Sequence, residues 1–563
     1  MRYSVYNIII NGFGGDLSTA SSAHGVSISG GTIIAGGAGT VFLHGEGGKA
    51  GTSSDGVNMT TSPAKITSDG GSVTVTGIGG GAGASASCSG VAVLTGAQIS
   101  AGGSGIVVVQ GTGGLGIGAL NYGVEVSGVG ALITSNGGAV QVTGNGGTLG
   151  TVTGNNHGVL VDNSGKIRAA GTGATTVTGF GGGTNATLSN YGVLLNNSGE
   201  ISSTGTGHVI INGTGGSGSG NLNGGVALSN SGIISSSGGN VTITGLGGGS
   251  GTGSQNYGVY AFSLGSISAG GSGTVTVNGT GGATAGNFNY GVVMSAGGGI
   301  TSSGGNVSVN GQGGGAGSSQ VNIGVDVHQG GYITAGGTAN VIVNGTGGNT
   351  SGDGNTGVFV WLDGSYITSS GGDVTVTGTG GGGGGSSGNS TGVYVANGEI
   401  SAAVNGDVNI SGSGSSASGI NNHGVLIEGS TALITSGGGP IVITGHAGGN
   451  AASLGINTID LSQISTAIDG GSVHLIANSM NLGAQIIADP AYFVWLSPFT
   501  NAMDINLGTA GDVNTGPLNL TDQELDSIST TYLVIGSATT GDITTTADIT
   551  RSTSTIIGLQ STA

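Results

Sequence analysis

The sequence predicts an all-β parallel β-helix, or β-solenoid, of about 33 residues per repeat, with three short strands per coil and glycine-rich turns. Three observations predict it. A Gly-Val pair returns fourteen times from Gly25 to Gly455 (the last as Gly455-Ile456), roughly every 33 residues. Each repeat carries three apolar patches at nearly constant offsets from that pair. The composition, 135 Gly in 563 residues with 5 % charged, 4 % aromatic and five Pro, excludes collagen, which needs a Gly-X-Y period and Pro. Recurrent Val and Ile argue equally against disorder.

The first patch is Gly-Val-x-Val, as in Asn121-Tyr122-Gly123-Val124-Glu125-Val126. The second centres on an Ile eight to ten residues after the anchor glycine, for example Ile133, Ile167, Ile201 and Ile367. The third is Val-x-Val-x-Gly, as in Val140-Gln141-Val142-Thr143-Gly144. Alternation of β-branched residues with Thr or polar residues marks half-buried strands. Helix is disfavoured by the glycine density, at roughly 1 kcal/mol per Gly relative to Ala. Gly and Asn suit the corners, where the chain must visit φ > 0. One coil cannot bury its own apolar face, so Val124, Ile133 and Val140 are expected beneath their equivalents in the next coil. Fourteen coils rising about 4.8 Å each make a rod segment on the order of 65–70 Å. A rival register of two 16–17-residue coils per repeat stays open, because Gly123-Val124 and Ala139-Val140 lie half a repeat apart. One wide coil is preferred, since the glycine-rich half carries few Val or Ile.

The residue before the anchor is often a ring: His24, Tyr122, His157, Tyr191, Tyr257, Tyr290 and His423. Asn precedes it at Asn121, Asn156, Asn190, Asn256, Asn289 and Asn422. Stacked coils would bring these side chains into ladders, with amide hydrogen bonds along the axis and offset rings in contact. A metal reading of the histidines lacks partners, since Tyr122 and Tyr191 flank His157 in the stack.

Residues 1–24 form a partial repeat, 25–458 the regular repeats, and 459–563 a less regular continuation. Ile8-Ile9-Ile10-Asn11-Gly12 matches a third strand at the right distance from Gly25, so the chain opens in mid-repeat, as a fragment of a longer protein would. After Gly455 the 33-residue rule lapses, and ten of the 24 acids follow residue 459. Ala491-Tyr492-Phe493-Val494-Trp495-Leu496 is the most aromatic stretch and reads as core or edge cover. A short helix is expected near 521–528, where Thr521 and Glu524 make a capping box and Leu525 and Ile528 share a face.

The net charge of −18 is sparse, and no Lys or Arg lies between Arg168 and Arg551. Such a chain cannot neutralise phosphates, which argues against nucleic-acid partners and against polybasic attachment to membranes. The single cysteine, Cys88, allows no intrachain disulfide. There is no run of 18 apolar residues, so no spanning helix, and Met1–Tyr6 lacks the layout of a signal peptide.

The rungs, together with Leu520-Thr521-Asp522-Gln523-Glu524-Leu525-Asp526-Ser527-Ile528, Leu533-Val534-Ile535-Gly536 and Gly541-Asp542-Ile543-Thr544, resemble the large filamentous-haemagglutinin-type exoproteins of Gram-negative bacteria. The resemblance implies a right-handed β-helix, type V secretion, an extracellular or outer-membrane location and surface adhesion to a glycan or protein ligand. It also implies an outer-membrane translocator for the parent protein. Neither the family's N-terminal secretion domain nor its C-terminal translocator barrel is found in the sequence.

No catalytic, cofactor-binding or metal site emerges. A β-helix enzyme acting on polysaccharide is the first alternative, but glycosidase chemistry needs two carboxylates roughly 5–10 Å apart. Asp363 and Asp373 are close in sequence yet fall at separate corners. Tandem calcium nonapeptides lack their recurring Asp, leaving only Asp504, Asp512 or Asp522 as isolated calcium positions. Gly48-Lys49 is followed by Ala50, which spoils a phosphate loop. An ice-binding face is the second alternative, from Thr74/Thr76, Thr176/Thr178, Thr242/Thr244 and Thr375/Thr377, blurred by Asn278, Ser308, Asn310, Asn409 and Ser411. Outward Thr is also ordinary strand chemistry.

Overall fold

A computed structural model describes residues 6–16, 22–49, 51–83, 85–148, 154–184, 188–467, 470–508, 511, 513–551 and 554–562. The chain forms two compact units, Met1–Asn289 with Gly298–Gly305, and Tyr290–Gly297 with Asn306–Ala563.

Within each unit the chain winds through three strands per coil, and each strand pairs in parallel with its counterpart one coil on. The fold is a β-solenoid with three long faces, here called the first, second and third sheets after the three patches. On the first sheet up to Gly455, register offsets run from 31 residues (Val26 with Val57) to 35 (Val358 with Val393). The two-coil register is thereby ruled out, because the glycine-rich stretch closes one coil and does not form another.

The inward positions follow the sequence pattern. Val124 and Val126, Ile133, and Val140 and Val142 are all buried. Fully burying each such side chain is worth about 1.5–3 kcal/mol before entropy. In the regular repeats the last residue of the second-sheet strand is also inward and is kept small, as with Ala101, Ser135, Ala169 and Ser203. Where it is Ser, the buried hydroxyl commonly donates to the carbonyl three residues on, as Ser135 does to Gly138.

The anchor glycines act differently from expectation. None of Gly123, Gly158 and Gly192 has positive φ. A Cβ at Gly144, which closes the Val-x-Val-x-Gly strand, would lie 2.0 Å from the carbonyl oxygen of Gly158 and 2.8 Å from Val159 Cγ2. A Cβ on Gly158 itself would lie 2.3 Å from the Phe180 nitrogen. The two glycines of the repeat therefore let the end of the third strand press against the start of the next first strand. Left-handed backbone falls instead two residues before the ring position, at Ser189, Leu222 and Gln255 (φ 58°, 63° and 59°) and at Val321, Gly354 and Asn389 (φ 54°, 75° and 53°).

Beyond Gly455 the coils shorten to 24, 22 and 21 residues on the first, second and third sheets (Ile456 with Met480, Gln463 with Gln485, Val473 with Val494). The coil has shed its glycine-rich connection, which is why the spacing rule lapses. Ile505–Leu507, Leu518–Leu520 and Ile543–Thr545 then form a small sheet of their own. The helix spans Asp522–Asp526 with Thr521 as its cap, and Glu524 accepts the Thr521 N–H at 2.8 Å. The other Glu524 oxygen accepts the Leu482 N–H at 2.9 Å, fastening the helix to the end of a first-sheet strand. Leu525 and Ile528 are both buried, although Ile528 already belongs to the strand that follows.

Candidate functional site

Polar groups at the corner before each anchor are consumed by the fold. In the first unit each ladder side chain accepts the backbone N–H of its counterpart one coil earlier: Asn121 from Cys88 (3.0 Å), Asn156 from Asn121 (2.9 Å), Asn190 from Asn156 (2.9 Å), Asn223 from Asn190 (3.3 Å) and Asn256 from Asn223 (2.8 Å). Ser54 and Cys88 hold the same place earlier in the chain. In the second unit the series runs through Asn322, Asn355, Ser390, Asn422 and Ser453. The amide nitrogens of Asn121, Asn223, Asn355 and Asn422 point the other way, into the loop. Asn223 donates to the carbonyls of Gly218 and Gly220, and Asn422 to those of Ala417 and Gly419. Asn223 and Asn422 thus bond the neighbouring coil and pin their own glycine-rich connections, whereas Asn190 and Asn322 donate along the ladder to Asn223 and Asn355.

The ring ladder is present as well. Tyr122 stacks on His157 with centroids 5.4 Å apart, and His157 meets Tyr191 at 5.6 Å. His157 Nδ1 accepts the Tyr191 N–H, and His423 Nδ1 accepts that of Leu454. Burial lowers the pKa of His157 to about 3 and that of His423 to about 4. Both rings are therefore neutral, with the proton on Nε2.

The outward side chains of the first sheet change character in the second unit. One column reads Asp326, Phe359, Tyr394, Leu426 and Asn457; beside it His328 lies in register with Trp361 and, further on, Ala396 with Glu428, while Trp361 bridges Asn397. Phe359 stacks on Tyr394 at 4.4 Å and on Trp361 at 5.3 Å, and Trp361 stacks on His328 at 5.0 Å. Asp326 is buried, accepts the Trp361 indole N–H at 2.8 Å and lies 2.9 Å from His328 Nδ1. The Tyr394 hydroxyl donates to Glu428. Beyond Tyr394 a depression of about 290 Å³ is lined by Asn389, Asn421, His423, Glu428 and Asn457. On the other side of the rings, Gln329, Asp363, Asn397 and Thr431 line a second, of about 490 Å³.

In the first unit the same face carries carboxylates. Asp55 accepts the Ser89 N–H at 2.7 Å, and the Ser89 hydroxyl donates to Glu125 at 3.3 Å. Burial, with Asp55 nearby, pushes the Glu125 pKa up to about 7. Among the described residues no three His, Cys, Asp or Glu side chains are grouped to hold a metal.

Asp363 and Asp373 fall apart as expected. Asp363 is an exposed corner residue that accepts from the Thr431 hydroxyl, while Asp373 precedes a third-sheet strand and accepts the Asp407 N–H. Asp504 and Asp522 accept backbone N–H groups of Asp542 and Thr550, and Asp512 lies outside the described residues. The Thr pairs do face outward on the third sheet, but Ile342/Asn344 and Asn409/Ser411 flank Thr375/Thr377 in register. In Phe493–Ser497, Val494 and Leu496 join the core, while Trp495 meets His474 edge-on at 4.4 Å. The aromatic face around Phe359, Trp361 and Tyr394 was not singled out from sequence. Aligning the anchors and reading the outward position of Gly-Val-x-Val would have found it.

No family model, curated protein or solved structure matches the chain.

Proposed function

We propose that this chain is a structural and adhesive segment of a large bacterial exoprotein of the filamentous-haemagglutinin type, working at the cell surface or outside it and without catalysis. The observation that carries this reading is the division of labour in the coil. Corner amides and rings are spent on stacking, the inward side chains are apolar or small, and outward positions such as Phe359, Tyr394 and Leu426 differ from coil to coil and can carry binding groups without disturbing the scaffold. A solenoid of this kind presents a long series of such positions, and selection can alter each one separately. Export follows through an outer-membrane translocator encoded with the parent protein, and the partner is a glycan or protein on a neighbouring surface.

The test has two arms. Protease shaving of intact producing cells, followed by detection of this segment, is expected to release it, and protection until lysis would sink the surface assignment. Beads coated with the purified chain are expected to adhere to cells more than beads coated with albumin. Depolymerisation of a polysaccharide by the purified chain would overturn the non-catalytic reading.

A further inference from the structure

We infer that the outward face of the third sheet in the first unit is a self-association surface, on which a second copy of this chain packs sheet against sheet. This holds whether or not the chain is adhesive. Seven strands build the face, from Val73–Ile78 to Val275–Thr280, and each pairs in parallel with the next over six successive residues without a bulge. Their outward side chains form three columns, which open at Thr74, Thr76 and Ile78 and end at Thr276, Asn278 and Thr280. None of these positions is covered by another part of the first unit. Ile78, Phe180 and Leu246 are 45 %, 44 % and 45 % exposed.

Charge is missing from this face. The seven strands carry no Asp, Glu, Lys or Arg. A surface that keeps a domain soluble and apart from its copies carries charge at about a quarter to a third of its positions. The charged residues between Val73 and Asn289 all lie on the other two sheets: Glu125 and Asp162 on the first, and Lys166, Arg168 and Glu200 on the second. Two copies of this acidic chain therefore meet through their third sheets without setting like charges against each other. The preceding strand, Val41–Glu46, brings in His44 and Glu46 and bounds the face.

Area and period identify the partner. Strands of this length stacked over seven rungs cover about 20 Å by about 34 Å. Face-to-face contact then buries roughly 1,300 Å² over both copies, within the range of specific interfaces. A second solenoid rises by the same amount per rung, about 4.8 Å, so its ridges and grooves stay matched along the whole face. A globular partner has no such period. The side chains suit a dry contact, since β-branched residues interdigitate between packed sheets and stacked amides bond along them. Strand addition is closed, because strands such as Thr175–Phe180 already have neighbours on both sides.

The experiment is sedimentation equilibrium of the whole chain over a concentration series, at low and at high salt. The average mass is expected to rise with concentration towards twice that of the monomer, and high salt is expected not to reverse the rise. Thr178→Lys with Thr244→Lys places lysines from both copies in the contact and should weaken association at least tenfold. Ser235→Lys with Ser268→Lys makes the same change of net charge on the outward side of the second sheet and should leave association unchanged. All four side chains point outward, so both doubly substituted chains are expected to fold. Thermal melting checks this, and Thr178→Lys alone keeps the test open if the pair unfolds. Monomer mass at every concentration, association that dissolves in high salt, or equal behaviour of the two lysine pairs would overturn the proposal.

Discussion

The side-chain oxygen of Asn256 accepts the backbone N–H of Asn223 at 2.8 Å, while Asn223 itself accepts from Asn190 and donates to the carbonyls of Gly218 and Gly220. One fully buried asparagine thus joins three coils through its backbone and side chain, and its amide holds its own glycine-rich loop. Replacing it with Ala strands the Asn190 N–H and both loop carbonyls. Asn223→Ala is expected to cost about 2–3 kcal/mol, since each buried group left unpaired costs about 1–3 kcal/mol. Asn223→Ser is expected to cost less, because Ser390 and Ser453 fill the same place naturally. Hydrogen exchange at residues 190 and 218–220 would show whether the loss is local. Unchanged protection there in Asn223→Ala would contradict the pinning role.

Glycine in the repeat serves two purposes, and substitution tells them apart. At Gly144 a methyl group would collide with the Gly158 carbonyl, where only backbone could yield. Gly144→Ala is therefore expected to cost about 3 kcal/mol or more and to expose coils on both sides to proteolysis. Gly317 has φ +59° with open space around it. Gly317→Ala is expected to cost only the left-handed penalty, about 1–2 kcal/mol. Denaturant midpoints compare the two directly, and equal losses would refute the close-approach account.

Val321 holds φ 54°, a region that β-branched residues avoid, yet Gly354 and Asn389 occupy the same place in the next two coils. Its N–H still bonds the Asp353 carbonyl at 2.8 Å, so the coil gains nothing from the valine that asparagine would not keep. Val321→Asn is expected to stabilise the fold by about 1 kcal/mol through relief of backbone strain. A raised urea midpoint with an unchanged slope is the result to look for.

Much of this architecture was legible because stacking repeats every constraint. Val124, Ile133 and Val140 announce three strands, and Asn121 with Tyr122 announces a corner, since each recurs one coil later. The capping box at Thr521 was equally plain, being a local signal. Two things were hidden. The purpose of Gly123 and Gly144 could not be read locally, because the backbone each approaches is distant in sequence (Asn145 for Gly123, Gly158 for Gly144), and φ was the nearer explanation. The aromatic cluster of Phe359, Trp361 and Tyr394 was hidden because Tyr394 is 35 residues from Phe359 and 33 from Trp361, and the rings meet only in register. Repetition exposes the scaffold, and the departures from repetition carry the candidate site.

Glu125 makes stability fall as pH rises. Its folded pKa of about 7 lies above the ordinary carboxyl value of 4.5, so the folded state holds a proton that the unfolded chain has released. Stability is highest below about pH 4.5 on this account and is lost progressively up to about pH 7. Glu125→Gln removes the titrating group and keeps a hydrogen-bonding partner for Ser89. The variant is expected to gain on the parent as pH rises from 5 to 8, with little difference at pH 4.5, and a constant difference in melting temperature across that range would contradict it.

His157 acts in the opposite sense. Its ring is buried between Tyr122 and Tyr191, its Nδ1 accepts the Tyr191 N–H, and its folded pKa is lowered from 6.5 to about 3. Below pH 6.5 the unfolded chain takes up a proton that the folded ring refuses, because a second proton would need Nδ1 and break that bond. Stability is therefore lost as pH falls from about 6.5 towards 3, by an amount on the order of a few kcal/mol. Tyrosine already occupies this place at Tyr122 and Tyr191, so His157→Tyr fits the ladder and cannot titrate in this range. The variant begins less stable at pH 7, having lost the Nδ1 acceptor, so the slope is the informative quantity. Melting temperatures measured from pH 7 to 4 are expected to fall less steeply in His157→Tyr than in the parent, and parallel curves would show that this histidine does not govern the acid limb.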